Sequence, residues 1–448
     1  MQVIRQGEQG FTEVSNLLSH ITGSQIEVGT KHWWQALKSK GAPLVRDAGA
    51  NKQDVIFLWQ LGSTQSELKQ EAAEIYIDIN GVTDHHSFDM AKLTRFDQTD
   101  VCFFSCQIDA KWRGGYSFYP VPSSLAQPRF EGELAQRRQL NRTWFRSIAG
   151  HARKDPLNKH NLSACLWGLS RSPLHLPQAP IQLGWSEFDA TQGYSSPATL
   201  VDFDWEISAA QDARHAWSFS TASVLKKQEN KHLPLVLILD GSFWTYSLPI
   251  FSALEKATAE GHLPPAVYLF IDEINGDYRY QDLGCNPEFW LALQANLLPQ
   301  VEQQYSISKD AKRRVVTGQS LGGLAAMYAG LHWPNNFASV LAQSGSFWWP
   351  DSSRLSASRH SNSENPTDTH EYLGEMSRLV ADGLGKKRAL NIFMEVGSQE
   401  DIMIDLSKEL YKQLSKQEHE LAFRIFEGGH ERLCWRGGLI DGLSHLLI

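Results

Sequence analysis

The sequence predicts a chain of two domains: an antiparallel β-sandwich over residues 1–190, then an α/β domain with a mostly parallel sheet over residues 191–448. Three observations predict it. From about Lys31 to Pro120 the apolar residues come in short alternating runs broken by Gly, Asn and Asp, the pattern of half-buried strands. After the junction, apolar runs bounded by turns alternate with segments of helical spacing, as strands buried on both faces and their crossover helices do. Between about Pro120 and Gln211 the periodicity fades into Pro, Ser, Arg and Gln, which places the junction near residue 190. A length of 448 residues suffices for two full cores.

In the first half the expected strands include Asp54 to Trp59, Glu74 to Ile79 and Asp100 to Ile108. The turn-forming stretches Asp155-Pro-Leu-Asn158 and Pro177-Gln-Ala-Pro180 follow. In the second half the expected strands are Leu233 to Leu239, Pro265 to Ile271, Arg314 to Thr317, Ala338 to Ala342, Leu390 to Val396 and Leu421 to Phe426. Glu288 to Gln304, Leu321 to His332 and Met403 to Leu414 carry apolar residues at three- and four-residue spacing and are expected to be helices. The polar stretch from Ser352 to Thr369 reads as a loop insertion.

Composition narrows the function. Lys and Arg total 42 against 50 Asp and Glu, and the net charge of −8 supplies no general field for nucleic acid or an anionic membrane. Cys102, Cys106, Cys165, Cys285 and Cys434 are an odd set without C-x-x-C spacing, so reduced thiols in a cytoplasmic protein are expected. Met1 to Gly10 shows no apolar stretch behind a basic start, and no run of about 18 apolar residues could span a bilayer. The pair His85-His86 is expected in a loop turn, because neighbours on a strand face opposite ways and cannot share one ion.

The sharpest chemical signal is Gly318-Gln-Ser320-Leu-Gly322-Gly323, a G-x-S-x-G sequence set between an expected strand and an expected helix. Chance supplies roughly 0.2 such matches in a chain of this length at ordinary Gly and Ser frequencies. The glycines allow the close backbone approach of a strained strand-to-helix turn, which presents a serine hydroxyl at the sheet edge. That hydroxyl needs a base, and in this arrangement the order along the chain is Ser, acid, His. His430 follows the last expected strand in Phe426-Glu-Gly-Gly-His430 and fits the base. Glu400 and Asp401 follow the preceding strand; either suits the acid, and both also suit the N-terminus of the next helix. Glu400 is the candidate. Backbone N–H groups of Leu321 and of Ser242, in the Asp240-Gly-Ser242 turn, are the candidate oxyanion donors.

These residues carry a family resemblance. Gly318 to Gly323, Tyr328 to Pro334, Gln343-Ser-Gly-Ser-Phe-Trp-Trp-Pro350 and Gly428-Gly-His-Glu-Arg-Leu-Cys-Trp-Arg-Gly-Gly438 closely resemble the enterochelin (enterobactin) esterases. So do Gly81-Val-Thr-Asp-His-His86 and Trp112-Arg-Gly-Gly-Tyr116 in the first half. The resemblance implies an immunoglobulin-like sandwich before an esterase-D-type α/β-hydrolase. It also implies cytoplasmic hydrolysis of a ferric tris-catecholate siderophore, with iron entering as part of the substrate and no resident cofactor or metal. Such a substrate is anionic and aromatic, so Arg279, Arg436, Trp349 and Trp435 are candidate substrate-binding residues, with Trp348 beside them. Two other readings stand beside this one: a general carboxylesterase or acyltransferase of the same fold, and a non-catalytic siderophore carrier.

Overall fold

A computed structural model describes residues 26–62, 72–160, 164–166, 169–190, 199–208, 212–222, 232–351 and 374–448. The expected insertion at Ser352 to Thr369 and the N-terminal Met1 to Gly10 lie outside these residues.

The chain forms two compact units. The first comprises Met1–Pro180 together with Glu427–Leu433, and the second comprises Ile181–Phe426 and Cys434–Ile448. The division after Pro180 falls before the expected junction because the segment that follows is stapled to the second unit. Trp185 donates its indole N–H to the Arg436 carbonyl (3.1 Å), and Asp189 takes both arms of the Arg436 guanidinium at 2.8 and 2.6 Å.

In the first unit the strands are β1 (Leu44–Gly49), β2 (Lys52–Gln60), β3 (Ala72–Ile79), β4 (Thr94–Arg95), β5 (Val101–Asp109), β6 (Arg113–Pro122), β7 (Ala164–Leu166) and β8 (Leu169–His175). They pair antiparallel in two four-stranded sheets, β1-β2-β5-β4 and β3-β6-β8-β7. Alternate residues of both sheets fill one core: Val55, Phe57 and Trp59 of β2 meet Ile75, Ile77 and Ile79 of β3 and Tyr116 and Phe118 of β6. The other face of β2 is buried as well. Ile56 and Leu58 pack on Trp33, Trp34 and Leu37 of the helix Lys31–Lys40, which starts where the Thr30 hydroxyl accepts the Trp33 N–H at 3.2 Å. A second helix, Leu134–Ile148, covers Tyr76, Tyr119 and Val121 with Trp144 and Ile148. The periodicity predicts no helix in this stretch, because Arg, Gln and Asn fill it and only a narrow stripe turns inward.

The second unit is built on one eight-stranded sheet in the order β16-β15-β14-β13-β11-β12-β10-β9. Its strands are β9 (Val201–Trp205), β10 (Arg214–Ser220), β11 (Leu235–Ile238), β12 (Val267–Ile271), β13 (Arg314–Gln319), β14 (Ser339–Gln343), β15 (Asn391–Gly397) and β16 (Glu420–Phe426). All pairings from β12 across to β16 are parallel; β9 and β10 form an antiparallel edge. The six strands read from sequence are the parallel ones. The antiparallel edge was missed, since β9 and β10 alternate buried with half-buried or exposed residues and lack a continuous apolar run. Every residue of β11 to β14 is buried, so the centre of the sheet is covered on both faces. This is the α/β-hydrolase type of arrangement, with the serine turn leaving the middle of the sheet.

Candidate active site

Ser320 stands between β13 and the helix Leu321–His332 with φ 57° and ψ −119°, a left-handed conformation that a side-chain-bearing residue adopts only when its surroundings enforce it. What enforces it is crowding. A Cβ on Gly318 would lie 2.5 Å from the Gly322 backbone, and one on Gly323 would lie 3.0 Å from the Gly345 Cα. The strand can therefore turn into the helix only with glycines at these places. Ser320 N–H donates to the Gln343 carbonyl (3.0 Å), and the Ser346 N–H donates to the Ser320 carbonyl (2.9 Å). The two hydroxyls are 3.3 Å apart. Leu321 opens the helix, so its N–H is among the first-turn donors that have no intrahelical acceptor.

The neighbouring turn leaves β11, the strand paired with β13. Asp240 there also has a left-handed backbone, φ 57°, and a Cβ on Gly241 would strike the Ile271 backbone at 2.7 Å. Ser242 follows, its hydroxyl donating to Glu273 Oε1 at 2.5 Å. Burial, reinforced by the nearby Asp240 carboxylate, raises the Glu273 carboxyl above its ordinary range.

Glu400 is 5 % exposed. Its Oε1 accepts the Ser344 hydroxyl at 2.6 Å and the Gly397 N–H at 2.7 Å. Asp401, the other candidate acid, is exposed and caps the helix Ile402–Leu414 with φ 44°. His430 is half-buried in the segment 427–433, which clusters with the first unit.

Three of the residues expected to meet substrate are buried and hold internal partners. Arg279 is 8 % exposed, and Asp240 holds its fork at 2.5 and 2.9 Å, while its Nη2 also donates to the Gln319 carbonyl at 3.5 Å. It joins the turn after β11 to the turn after β13; its charge is spent inside the fold. Arg436 is fully buried against Asp189, Gln182 (2.6 Å) and the Trp185 ring (4.8 Å). Trp435 is 2 % exposed and donates its indole N–H to the Ser344 hydroxyl at 2.8 Å. In each case the chemistry that suited a catecholate, a planar cation or an aromatic N–H, suits an internal partner equally well. Trp349 is the exception: it is half-buried, with its ring 4.7 Å from the half-exposed Tyr280 and 6.3 Å from Trp348. His85 and His86 lie in a turn region with ring centroids 4.2 Å apart, on one side rather than opposed, because the turn lacks strand alternation.

Sequence reasoning missed a row of polar residues beneath the serine. Gln319, Gln343, Glu395 and Arg424 are register partners on β13 to β16. They are linked hand to hand: Gln319 Nε2 to Gln343 Oε1 (2.7 Å), Gln343 Nε2 to Glu395 Oε1 (2.5 Å), and Arg424 Nε to Glu395 Oε2 (2.6 Å). Burial raises the Glu395 carboxyl above its usual range against the pull of Arg424. The only sequence signal was a polar residue at the end of two successive apolar strands, Gln319 of β13 and Gln343 of β14, and one near the end of the next, Glu395 of β15.

The family described as "Putative esterase" matches residues 220–446, and that described as "Enterochelin esterase, N-terminal" matches residues 54–185. The chain is 39 % identical over 427 residues to the iron(III) enterobactin esterase of Dickeya dadantii, covering 95 % of this chain and 94 % of that protein. The ferric enterobactin esterase from Salmonella typhimurium, a solved structure, superimposes with a TM-score of 0.79 at 34 % identity, covering 93 % of this chain and 98 % of that one. The Shigella flexneri enterobactin esterase, solved in the presence of enterobactin, gives a TM-score of 0.74 at 34 % identity over 94 % and 99 % of the two chains. Two family models that together span most of the chain, and relatives more than 30 % identical over more than nine-tenths of it, agree: the chain belongs to the enterochelin (enterobactin) esterase family.

Proposed function

We propose that this esterase opens the trilactone of ferric enterobactin-type catecholate siderophores in the cytoplasm, with Ser320 as nucleophile, His430 as base and Glu400 as the acid that orients it. The observation that carries the reading is the left-handed backbone of Ser320, which presents the hydroxyl at the end of β13 and leaves the Leu321 N–H at the start of a helix. Ser320 Oγ attacks a lactone carbonyl as His430 takes its proton. The N–H groups of Leu321 and Ser242 stabilise the oxyanion. Collapse breaks the ester C–O bond, and the leaving seryl oxygen takes the proton back from the imidazolium. Water then attacks the acyl-serine in the same way, so each cycle consumes one water and yields one carboxylic acid and one alcohol. Repetition gives dihydroxybenzoylserine units and weakens the grip on iron. Tyr280 and Trp349 offer aromatic faces to the catechol rings. In the same reading the first domain is an immunoglobulin-like module, in keeping with its two antiparallel sheets.

One observation favours the general carboxylesterase reading: both arginines expected to meet an anionic substrate are buried against carboxylates. Chromatography of products after incubation with ferric enterobactin, iron-free enterobactin and a small neutral ester separates the two. Faster release of dihydroxybenzoylserine from the ferric complex is expected; indifference between the triscatecholate and the simple ester would establish the general esterase.

For the acid, Glu400→Gln is expected to lower kcat by about 100-fold, the scale of a supported general base. Asp401→Asn should stay within about threefold, because Asp401 is an exposed residue at a helix start whereas Glu400 is buried. If both variants change only the melting temperature, the enzyme works as a Ser–His dyad.

A further inference from the structure

Two first-domain motifs have no part in this chemistry, Gly81 to His86 and Trp112 to Tyr116. They are where segment 427–433 is held. Gly429 packs on the turn after β3: a Cβ there would lie 2.1 Å from Asn80 Oδ1 and 3.2 Å from the Gly81 Cα. Asn80 Nδ2 donates to the His430 carbonyl at 3.3 Å, and the Arg113 N–H of β6 donates to the Glu427 carbonyl at 3.4 Å. Glu431, the residue after the histidine, is 1 % exposed. Its carboxylate lies on the Gly115 backbone of β6, where a Cβ would come within 3.0 and 3.1 Å of its two oxygens. The Arg171 guanidinium of β8 attracts it, and Arg171 is itself paired with Asp78 at the end of β3. His85 Nδ1 approaches the same Asp78 at 3.3 Å. Burial opposes the charge on Asp78, but Arg171 and His85 outweigh it and hold that carboxyl well below its usual range. Burial pushes Glu431 up to about 7 in spite of Arg171.

We propose that the first domain positions the catalytic base: the Asn80-Gly81 turn and the Asp78–Arg171–Glu431 cluster fix the segment 427–433, and with it the His430 imidazole. The inference rests on His430 being the base. Its physical ground is that two consecutive glycines, Gly428 and Gly429, leave the approach to His430 with little conformational preference of its own. A general base must nevertheless stay within hydrogen-bond reach of its proton, and a displacement of about 1 Å costs on the order of 100-fold in rate. Contacts on both sides of the histidine, at Gly429 and at Glu431, supply the missing order. Asn80, Arg171 and Glu431 are therefore positioning residues, and the first-domain motifs serve catalysis without touching the ester.

The test is a clash and its relief. Gly429→Ala is expected to lower kcat on ferric enterobactin by about 100-fold, with KM changed less than about threefold. Adding Asn80→Ala removes the Asn80 Oδ1 and Cγ that the new methyl strikes, leaving the Gly81 Cα at 3.2 Å, and the double variant is expected to regain about tenfold of the loss. A purely structural role of the glycine would show no such rescue. Should Gly429→Ala fail to fold by circular dichroism, Asn80→Ala and Glu431→Gln serve alone, each expected to lower kcat about tenfold at unchanged KM. Unchanged kcat in the folded variants, a loss carried by KM, or a double variant no better than Gly429→Ala overturns the proposal while an inactive His430→Ala leaves the base assignment standing. An active His430→Ala would instead defeat the base assignment itself.

Discussion

Replacing Ser320 with alanine is expected to abolish hydrolysis of ferric enterobactin, lowering kcat by about 10⁴-fold or more, while the far-ultraviolet spectrum and melting temperature stay near those of the parent. The substitution removes only the attacking oxygen. The turn that carries it is enforced by glycines at 318 and 323 and by backbone hydrogen bonds from Ser320 to Gln343 and from Ser346 to Ser320, none of which involves the hydroxyl. His430→Ala is expected to be nearly as severe, and the double variant no worse than either single one, since nucleophile and base act as a unit. Single-turnover and steady-state rates measure this directly. Retention by either single variant of more than about one part in a hundred of kcat would remove the Ser–His mechanism.

The second large effect is on stability. Arg279→Ala leaves the Asp240 carboxylate buried at 2 % exposure without its bidentate partner, a change that costs about 3–5 kcal/mol. Urea unfolding should record it as a lower midpoint at unchanged slope. Because Arg279 also meets the Gln319 carbonyl beside the nucleophile, the folded fraction is expected to lose activity equally on ferric enterobactin and on a small neutral ester. A selective rise in KM for the ferric complex, with stability intact, would return Arg279 to substrate binding.

The two arginines mark the limit of what the chain's sequence discloses. A G-x-S-x-G turn is legible because strand, glycines and helix all lie within about ten residues, and the crowding that demands glycine is local. The parallel strands are legible because continuous apolar runs are unusual outside a sheet covered on both faces. The fate of a guanidinium depends on what arrives from elsewhere: Asp240 comes from 39 positions away and Asp189 from 247. Nothing near Arg279 or Arg436 in the sequence announces these partners. The helix Leu134–Ile148 was missed for a related reason, as its inward stripe has meaning only against Tyr76, Tyr119 and Val121.

The division of the chain has a consequence for how such a protein can be recombined. Crossings at Pro180–Ile181, Phe426–Glu427 and Leu433–Cys434 mean that the units are threaded, not strung in series. A graft that exchanges residues up to Pro180 for another parent's first domain carries the strand ends Asp78, Gly115 and Arg171 but leaves Gly429 and Glu431 behind in the host. Chimeras made at that single seam inherit half of a matched set. A workable exchange takes two separate stretches of gene, because Asn80 and Gly115 meet His430 and Glu431 of the second stretch.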